Sequence, residues 1–117
     1  MAVQQILDVT ADFNDGSSAT LDVGGWDYSV VQLVNPSGTV NFTTSNDSGA
    51  ITGISDGNAA SALNFIAASG IVIASAAAAS TLAAAGLIRF TGIGMFLRIS
   101  GTAVTADKVI VRLYKIN

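Results

Sequence analysis

The sequence contains no histidine, no cysteine and no glutamate. Without the first two, the chain lacks the commonest general base, the thiolate nucleophile and the soft ligands of zinc sites. The side chains left for acid and base chemistry are aspartate, two lysines and two tyrosines, and few enzymes rely on such a set alone. The composition therefore predicts a protein that is not an enzyme, with no catalytic residues, no metal site and no cofactor.

The lack of cysteine also excludes the disulfide framework on which many small secreted domains depend. The chain has 117 residues, half of them hydrophobic, which fits a single domain over residues 1–117 with one hydrophobic core. A net charge of −3 argues against a protein that binds the phosphates of nucleic acids. We therefore expect one globular domain and no nucleic-acid partner.

No segment predicts insertion into a membrane. Residues 1–8 lack both a basic region and a long apolar run, so we expect no secretory signal. Residues 70–88 are long enough to cross a bilayer, but they are rich in alanine and include serine and threonine, which makes them less apolar than a typical span. We expect this stretch to be a buried segment of a soluble protein.

The charges are segregated along the chain. All eight acidic residues are aspartates, seven of them before residue 60, whereas all five basic residues follow residue 88. The first 88 residues carry a formal −7 and the remainder about +4, which is five basic residues less one aspartate. Such asymmetry can steer and orient copies of a self-assembling protein. Alternatively, the two ends of the chain pair as neighbouring strands and the charges compensate within one molecule.

Short alternating segments separated by turn residues predict an all-β fold. Alternation begins over residues 7–13, and the polar cluster at residues 14–18 suits a turn. Residues 28–35 are apolar on both faces, as in a central strand buried on two sides. Pro36 and Gly38 then predict a tight turn that joins this strand to residues 40–44 in a hairpin.

The sequence predicts the secondary structure of the end of the chain more clearly than that of the middle. Residues 58–68 have helix-like spacing and predict a short helix or a long loop, and residues 76–85 predict a loop or an edge strand of small side chains. Three strands follow, at residues 87–90, 95–100 and 109–116. In the last one, Val109, Val111 and Leu113 share one face, and we expect the opposite face to be half exposed. Eight or nine strands of this spacing predict an antiparallel β-sandwich, for which a jelly roll is one topology.

Several strand and turn motifs resemble small β-sandwich proteins of tailed-bacteriophage particles. The motifs are YSVVQLV from Tyr28, GTVNFTTSND from Gly38, AGLIRF from Ala85, FLRISG from Phe96 and a closing VIVRLY. Together they span about 90 residues of the chain. The family that they resemble includes capsid decoration (cement) proteins and head, neck or tail accessory proteins, which are commonly trimeric on the particle. The alanine- and serine-rich tract departs from the family pattern.

This resemblance implies a virion structural protein, most simply a capsid decoration protein that stabilises the lattice. The implied partners are the major capsid protein or another virion protein and further copies of the chain, with a trimer favoured. The implied location is the capsid surface of the virion, after synthesis in the host cytoplasm. Small side chains in residues 71–85 would let a partner approach closely, or they pack inside the same sandwich. The candidate interface residues are Trp26, Ile71, Ile73, Leu82, Arg89 and Arg98.

Two alternatives stay open. One is a carbohydrate-binding or receptor-binding module, in which Trp26, Tyr28 and Tyr114 offer stacking faces and Asp27 or Asn41 binds hydroxyls. The other is a neck or tail accessory protein. The arginines at positions 89 and 98 are expected on adjacent strands, where they could reach aspartates of another copy or Asp22 or Asp27 of the same copy.

Overall fold

The computed structural model describes residues 2–46, 55–56, 65–91 and 93–116, and these residues form two antiparallel sheets packed as a β-sandwich. Along the chain the elements are β1 (Ala2–Asp8), α1 (Thr10–Asn14), β2 (Ser18–Asp22), β3 (Tyr28–Val34), β4 (Val40–Ser45), β5 (Ser55–Asp56), β6 (Ile66–Ala67), β7 (Gly70–Val72), β8 (Ala77–Ala79), β9 (Thr81–Leu82), β10 (Gly86–Thr91), β11 (Phe96–Ser100) and β12 (Lys108–Ile116). Sheet A has the order β1-β12-β3-β10-β7-β8, and sheet B has the order β5-β2-β11-β4-β6, with β9 also paired to β4.

The strands pair in a nested pattern. β1 pairs with β12, β2 with β11, β3 with β10 and β4 with β9, so that strands equally far from the two ends of the chain are neighbours. Successive nested pairs alternate between sheet A and sheet B. A long antiparallel ribbon rolled in this way is a jelly roll, so both the predicted β-sandwich and its jelly-roll topology are confirmed.

The core lies between the two sheets and follows the alternation of the strands. On β12, Val109, Val111 and Leu113 are buried while the residues between them are at least partly exposed, as the sequence predicts. The Phe42 ring of sheet B packs against the Phe90 ring of sheet A with centroids 5.1 Å apart. Such a tilted aromatic pair stabilises a core beyond the area that it buries.

The first predicted strand ends earlier than its alternation suggests. The Asp8 carboxylate accepts hydrogen bonds from the backbone N–H of Thr10 (3.0 Å) and from its hydroxyl (2.6 Å). The backbone then turns into α1, which places Phe13 in the core. Because a short aspartate side chain binds the backbone two residues later, it favours a turn over continued strand.

The predicted hairpin at Pro36 is wrong, because β3 belongs to sheet A and β4 to sheet B. The loop between them crosses from one sheet to the other, and the Asn35 side chain and Ser37 N–H bind the loop before β12. The strand β3 is central, between β12 and β10, as expected. It is fully buried on one face only, since Gln32 is exposed on the other.

The alanine-rich region forms short edge strands, as one of the two sequence-based alternatives predicted. The expectation that residues 70–88 are a buried segment is wrong, because most of them are exposed at the sheet edge. β8 is the outer strand of sheet A, and β9 pairs with the first residues of β4. Most of the predicted helix at residues 58–68 lies outside the described residues, and its described part contains the strand β6. Among the described residues, no helix is long and apolar enough to cross a membrane.

Candidate assembly face and end pocket

The outer faces of the two sheets differ in how far they are covered. On sheet B, Thr20 and Phe96 point away from the core, opposite their buried neighbours Leu21 and Leu97, yet both are at least 98% buried. Nearby, the Arg98 guanidinium lies 4.1 Å from the centroid of the Phe65 ring and donates from Nε to the Thr43 hydroxyl. Burial lowers the pKa of this guanidinium, which stays charged at neutral pH. The centre of sheet B is therefore covered.

The outer face of sheet A carries large apolar side chains that are open to solvent. Directly opposed residues of antiparallel strands point to the same side, so the registers place Ile6, Arg112, Val30, Arg89 and Ile71 in one row across β1, β12, β3, β10 and β7. A parallel row contains Asp8, Ile110, Gln32 and Leu87. We call these two rows, together with Ile73, Lys108 and Tyr114, the open face.

Exposure along the open face is high for apolar residues. Ile6 is 55% exposed, Leu87 41% and Ile73 49%. A shallow groove of about 330 Å³ runs over the face, lined by Val30, Gln32, Ile73, Leu87, Ile110, Arg112 and Tyr114. Large exposed apolar side chains interspersed with arginines are typical of protein interaction surfaces.

The open face is also basic. Arg112 donates from Nη1 to the Gln4 side chain at 3.1 Å, and Arg89 makes no ion pair with any described residue. Lys108 lies 4.0 Å from the carboxylate of Asp8, and both groups are more than half exposed. Hydrogen bonds from Thr10 are the main cause that lowers the pKa of Asp8, with Lys108 adding a smaller effect. Three cations and one carboxylate thus share this surface.

Three of the six sequence-predicted interface residues meet on the open face, namely Ile71, Ile73 and Arg89. Leu82 lies on β9, where it packs partly buried against the core. The expectation that Arg89 and Arg98 lie on adjacent strands is wrong, because β10 belongs to sheet A and β11 to sheet B. The sequence also favoured pairing of the two chain ends, and β1 does pair with β12.

That pairing compensates little of the charge asymmetry through direct contacts. The Lys108–Asp8 contact is the single ion pair within the described ranges.

Sequence reasoning missed Ile6, Leu87 and Arg112 as members of the open face. Their outward positions follow from strand alternation, but which outer face stays open depends on tertiary packing that alternation does not encode.

A second concave site lies at one end of the sandwich, between the β2–β3 loop and the first residues of β3. This end pocket has a volume of about 180 Å³ and is lined by Val23, Trp26, Asp27, Tyr28, Ser29, Ile93 and Leu113. Trp26, the sixth predicted residue, lies here and not on the open face. Of the predicted sugar-binding set, Trp26, Asp27 and Tyr28 meet in the pocket, whereas Asn41 lies on β4 and does not line it.

The backbone around the end pocket is tied to the last strand. Asp27 N–H donates to the carbonyl of Tyr114 at 2.8 Å, and its carboxylate accepts from the N–H of Ile116. The rings of Tyr28 and Tyr114 stack with centroids 4.6 Å apart and planes 10° apart. Each of these two rings therefore has one face already occupied.

No protein-family model and no curated protein sequence matches the chain. Its fold is similar to that in the crystal structure of the SPBc2 prophage-derived protein YomS, with a TM-score of 0.65 and 13% sequence identity. The superposition covers 97% of this chain and 93% of the other. At this identity the likeness concerns the fold.

Proposed function

We propose that this protein is a non-enzymatic structural protein of a phage particle, and that it decorates the capsid as a homo-oligomer, with a trimer as the closed form. The observation that carries the proposal is the open face, which is an exposed apolar and basic surface of sheet A. The chain also has few residue types suited to catalysis, since it lacks histidine, cysteine and glutamate. The motif resemblance to virion β-sandwich proteins and the fold shared with a prophage-derived protein support a phage context.

The open face is large enough for a protein contact. The six strands of sheet A contain 35 residues, from nine in β12 to three each in β7 and β8, and each residue covers about 4.8 Å by 3.3 Å of the outer face. Its area of roughly 550 Å² approaches the roughly 800 Å² per partner of a standard interface. A contact of this size suits reversible self-assembly that becomes stable on a lattice.

A decoration protein stabilises a capsid by mass action, because it binds the assembled lattice and not the free subunits. Contacts between copies add avidity to each lattice contact. A heterologous contact, in which the basic open face of one copy meets an acidic surface of the next, forms a closed trimer when each copy is rotated by about 120° from the last. In this proposal the major capsid protein is the lattice partner and the capsid surface is the location.

Light scattering coupled to size exclusion tests the self-assembly step with the variants Ile73→Asp and Ile66→Asp. Ile73 lies on the open face in the turn after β7, and Ile66 lies on β6 of sheet B and is 70% exposed. We expect the wild type and Ile66→Asp to assemble alike, and Ile73→Asp to be monomeric at the same concentration. Both substitutions replace an exposed isoleucine by a charge, so only the face differs.

A wild-type monomer at all concentrations up to about 0.1 mM would contradict the proposal, since the association would then be weaker than about 5.5 kcal/mol. Equal assembly of wild type and Ile73→Asp would mean that the interface between copies does not lie on the open face. Circular dichroism of each variant checks that the fold is retained.

A further inference from the structure

The end pocket contains a buried hydroxyl without a partner. Ser29 lies on the inward face of β3, opposite the buried residues Phe90 and Leu113, and it is 1% exposed. Its Oγ has no hydrogen-bond partner among the residues that the structure describes, yet Ser29 lines the pocket. Buried polar atoms in folded proteins are nearly always hydrogen-bonded, and an orphan calls for an explanation. A group that enters the pocket would supply the missing bond.

The volume of the pocket limits the size of the molecule that carries this group. Its volume of about 180 Å³ far exceeds the roughly 15 Å³ needed for one water. It is smaller than the roughly 300–1,000 Å³ of sites for drug-sized ligands. The pocket therefore suits a molecule that is larger than water and smaller than a typical drug.

The walls of the pocket define the chemistry of its ligand. Val23 and Leu113 form a buried apolar floor, and the partly buried Trp26 adds an aromatic side chain. The Tyr28 ring stacks on Tyr114 on the outer side of sheet A, so Tyr28 contributes no free ring face to the ligand. The Asp27 carboxylate accepts one backbone hydrogen bond and has further lone pairs for a donor. As a carboxylate it disfavours anionic ligands and favours molecules that bring hydrogen-bond donors, of which hydroxyl groups are the neutral kind.

We propose that the end pocket binds a small, neutral, polyhydroxylated molecule of monosaccharide size. One hydroxyl of the ligand pairs with Ser29 Oγ, another donates to the Asp27 carboxylate, and the C–H face of the ligand packs on the Trp26 ring. The site is already built, since Asp27 is fixed to β12 through its backbone and side chain. This inference does not depend on the assembly proposal, because the pocket lies at the sandwich end and the assembly contact on the outer face.

Fluorescence of Trp26 reports on the pocket directly, because it is the only tryptophan of the chain. The wild type is titrated with glucose, galactose, mannose, N-acetylglucosamine, arabinitol and glycerol. At least one sugar or sugar alcohol is expected to give a saturable change near about 1 mM, the range of a weak small-ligand site. Ser29→Ala is expected to weaken that affinity about tenfold, as for the loss of one buried hydrogen bond.

Thr20→Val is the matched control. Thr20 Oγ1 is the other buried side-chain oxygen without a partner in the described chain, and Thr20 does not line the end pocket. Each variant removes an unpaired buried hydroxyl, so both are expected to keep or raise the melting temperature. Only Ser29→Ala is expected to weaken binding.

Two outcomes would overturn the inference. The first is no saturable change for any ligand up to about 50 mM, with no shift of the Ser29 and Leu113 amide resonances of the wild type in NMR spectra; the pocket then holds only water. The second is equal affinity of wild type and Ser29→Ala. The NMR titration of the wild type keeps the test valid if the Ser29 variant does not fold.

Discussion

Two side chains beside α1 hold the loop between β11 and β12. Asn14 donates from its amide to the carbonyl of Ala106 and accepts from the Ala106 N–H, both at 2.9 Å. The Ser17 hydroxyl donates to the carbonyl of Val104 at 2.7 Å and accepts from the Val104 N–H at 2.8 Å. A segment without strand partners thus has its backbone groups satisfied by side chains more than 80 residues away in sequence.

We expect Ser17→Ala to lower the free energy of unfolding by about 2–4 kcal/mol. The substitution leaves the buried N–H and carbonyl of Val104 without partners, at about 1–3 kcal/mol for each unsatisfied group. Urea unfolding followed by circular dichroism measures the change. The control is Ser37→Ala. There the Thr105 N–H loses its bond to the Ser37 hydroxyl, but the site is exposed, so water accepts a hydrogen bond from that N–H instead. Equal losses for the two variants would refute this role of Ser17.

At the residue scale the sequence predicted the turn at residues 14–18, but not the hydrogen bonds from Asn14 and Ser17 to the loop between β11 and β12. The cluster at residues 14–18 is rich in turn formers, which indicates where the chain reverses. The partners of Asn14 and Ser17 lie near the other end of the chain, so no local pattern encodes them. The same limit applies to the end pocket, whose Trp26 and Asp27 were noted as candidates while Ser29 was not.

Among the strands, β7 depends on a glycine for its close approach to β10. A Cβ atom on Gly70 would lie 2.8 Å from the Arg89 carbonyl oxygen and 2.8 Å from side-chain atoms of Ile88 and Phe90. Those neighbours belong to a central strand of sheet A and cannot move without disturbing the core. The glycine therefore sets the distance at which β7 and β8 attach to the sheet.

We expect Gly70→Ala to destabilise the protein by about 1–3 kcal/mol, as other overpacked core positions do. Gly86→Ala is the control, since a Cβ there has its nearest neighbour at 4.0 Å. Thermal unfolding of both variants gives the comparison. Because β7 carries Ile71 and leads into Ile73, Gly70→Ala should also weaken self-assembly. An unchanged melting temperature would show that β7 can shift without cost.

At the element scale, strand alternation located most of the long strands. The edge strands within residues 76–85 were one of two expected alternatives, because β segments flank that region and not because it alternates. The hairpin at Pro36 failed because a turn motif reports that the chain reverses, and not whether the next strand pairs locally or crosses to the other sheet. The strand predicted over residues 7–13 is also wrong beyond Asp8, because an alternating pattern does not show where a strand ends. There the local hydrogen bonds of Asp8 outweighed the periodic pattern.

The nested strand order explains how segregated charges end up on one surface. It brings the C-terminal strand β12 into the middle of sheet A, beside β1 and β3. The outward positions of β12 and β10 then place Lys108, Arg112 and Arg89 on the open face. Aspartates from the first part of the chain, such as Asp12 and Asp15, are exposed around α1 instead. Three of the five basic residues are thus separated onto the open face, whose two rows contain one aspartate, Asp8.

This separation gives self-assembly a predicted dependence on salt. Raising the salt from about 0.1 M to about 1 M shortens the screening length from about 10 Å to about 3 Å. If the basic open face of one copy meets the acidic surface of another, the dissociation constant rises with salt. Light scattering at the two salt concentrations measures the shift.

Arg89→Gln and Lys115→Gln separate this local contribution from an effect of net charge. Each removes one positive charge, but Arg89 lies on the open face, whereas Lys115 is opposite Val3 in the register of β12 and β1 and belongs to neither of its rows. We expect Arg89→Gln to weaken assembly several-fold at low salt and to reduce its salt dependence, with Lys115→Gln close to wild type. Equal effects of the two substitutions would mean that assembly responds to total charge, and that the basic face has no specific acidic partner on the neighbouring copy.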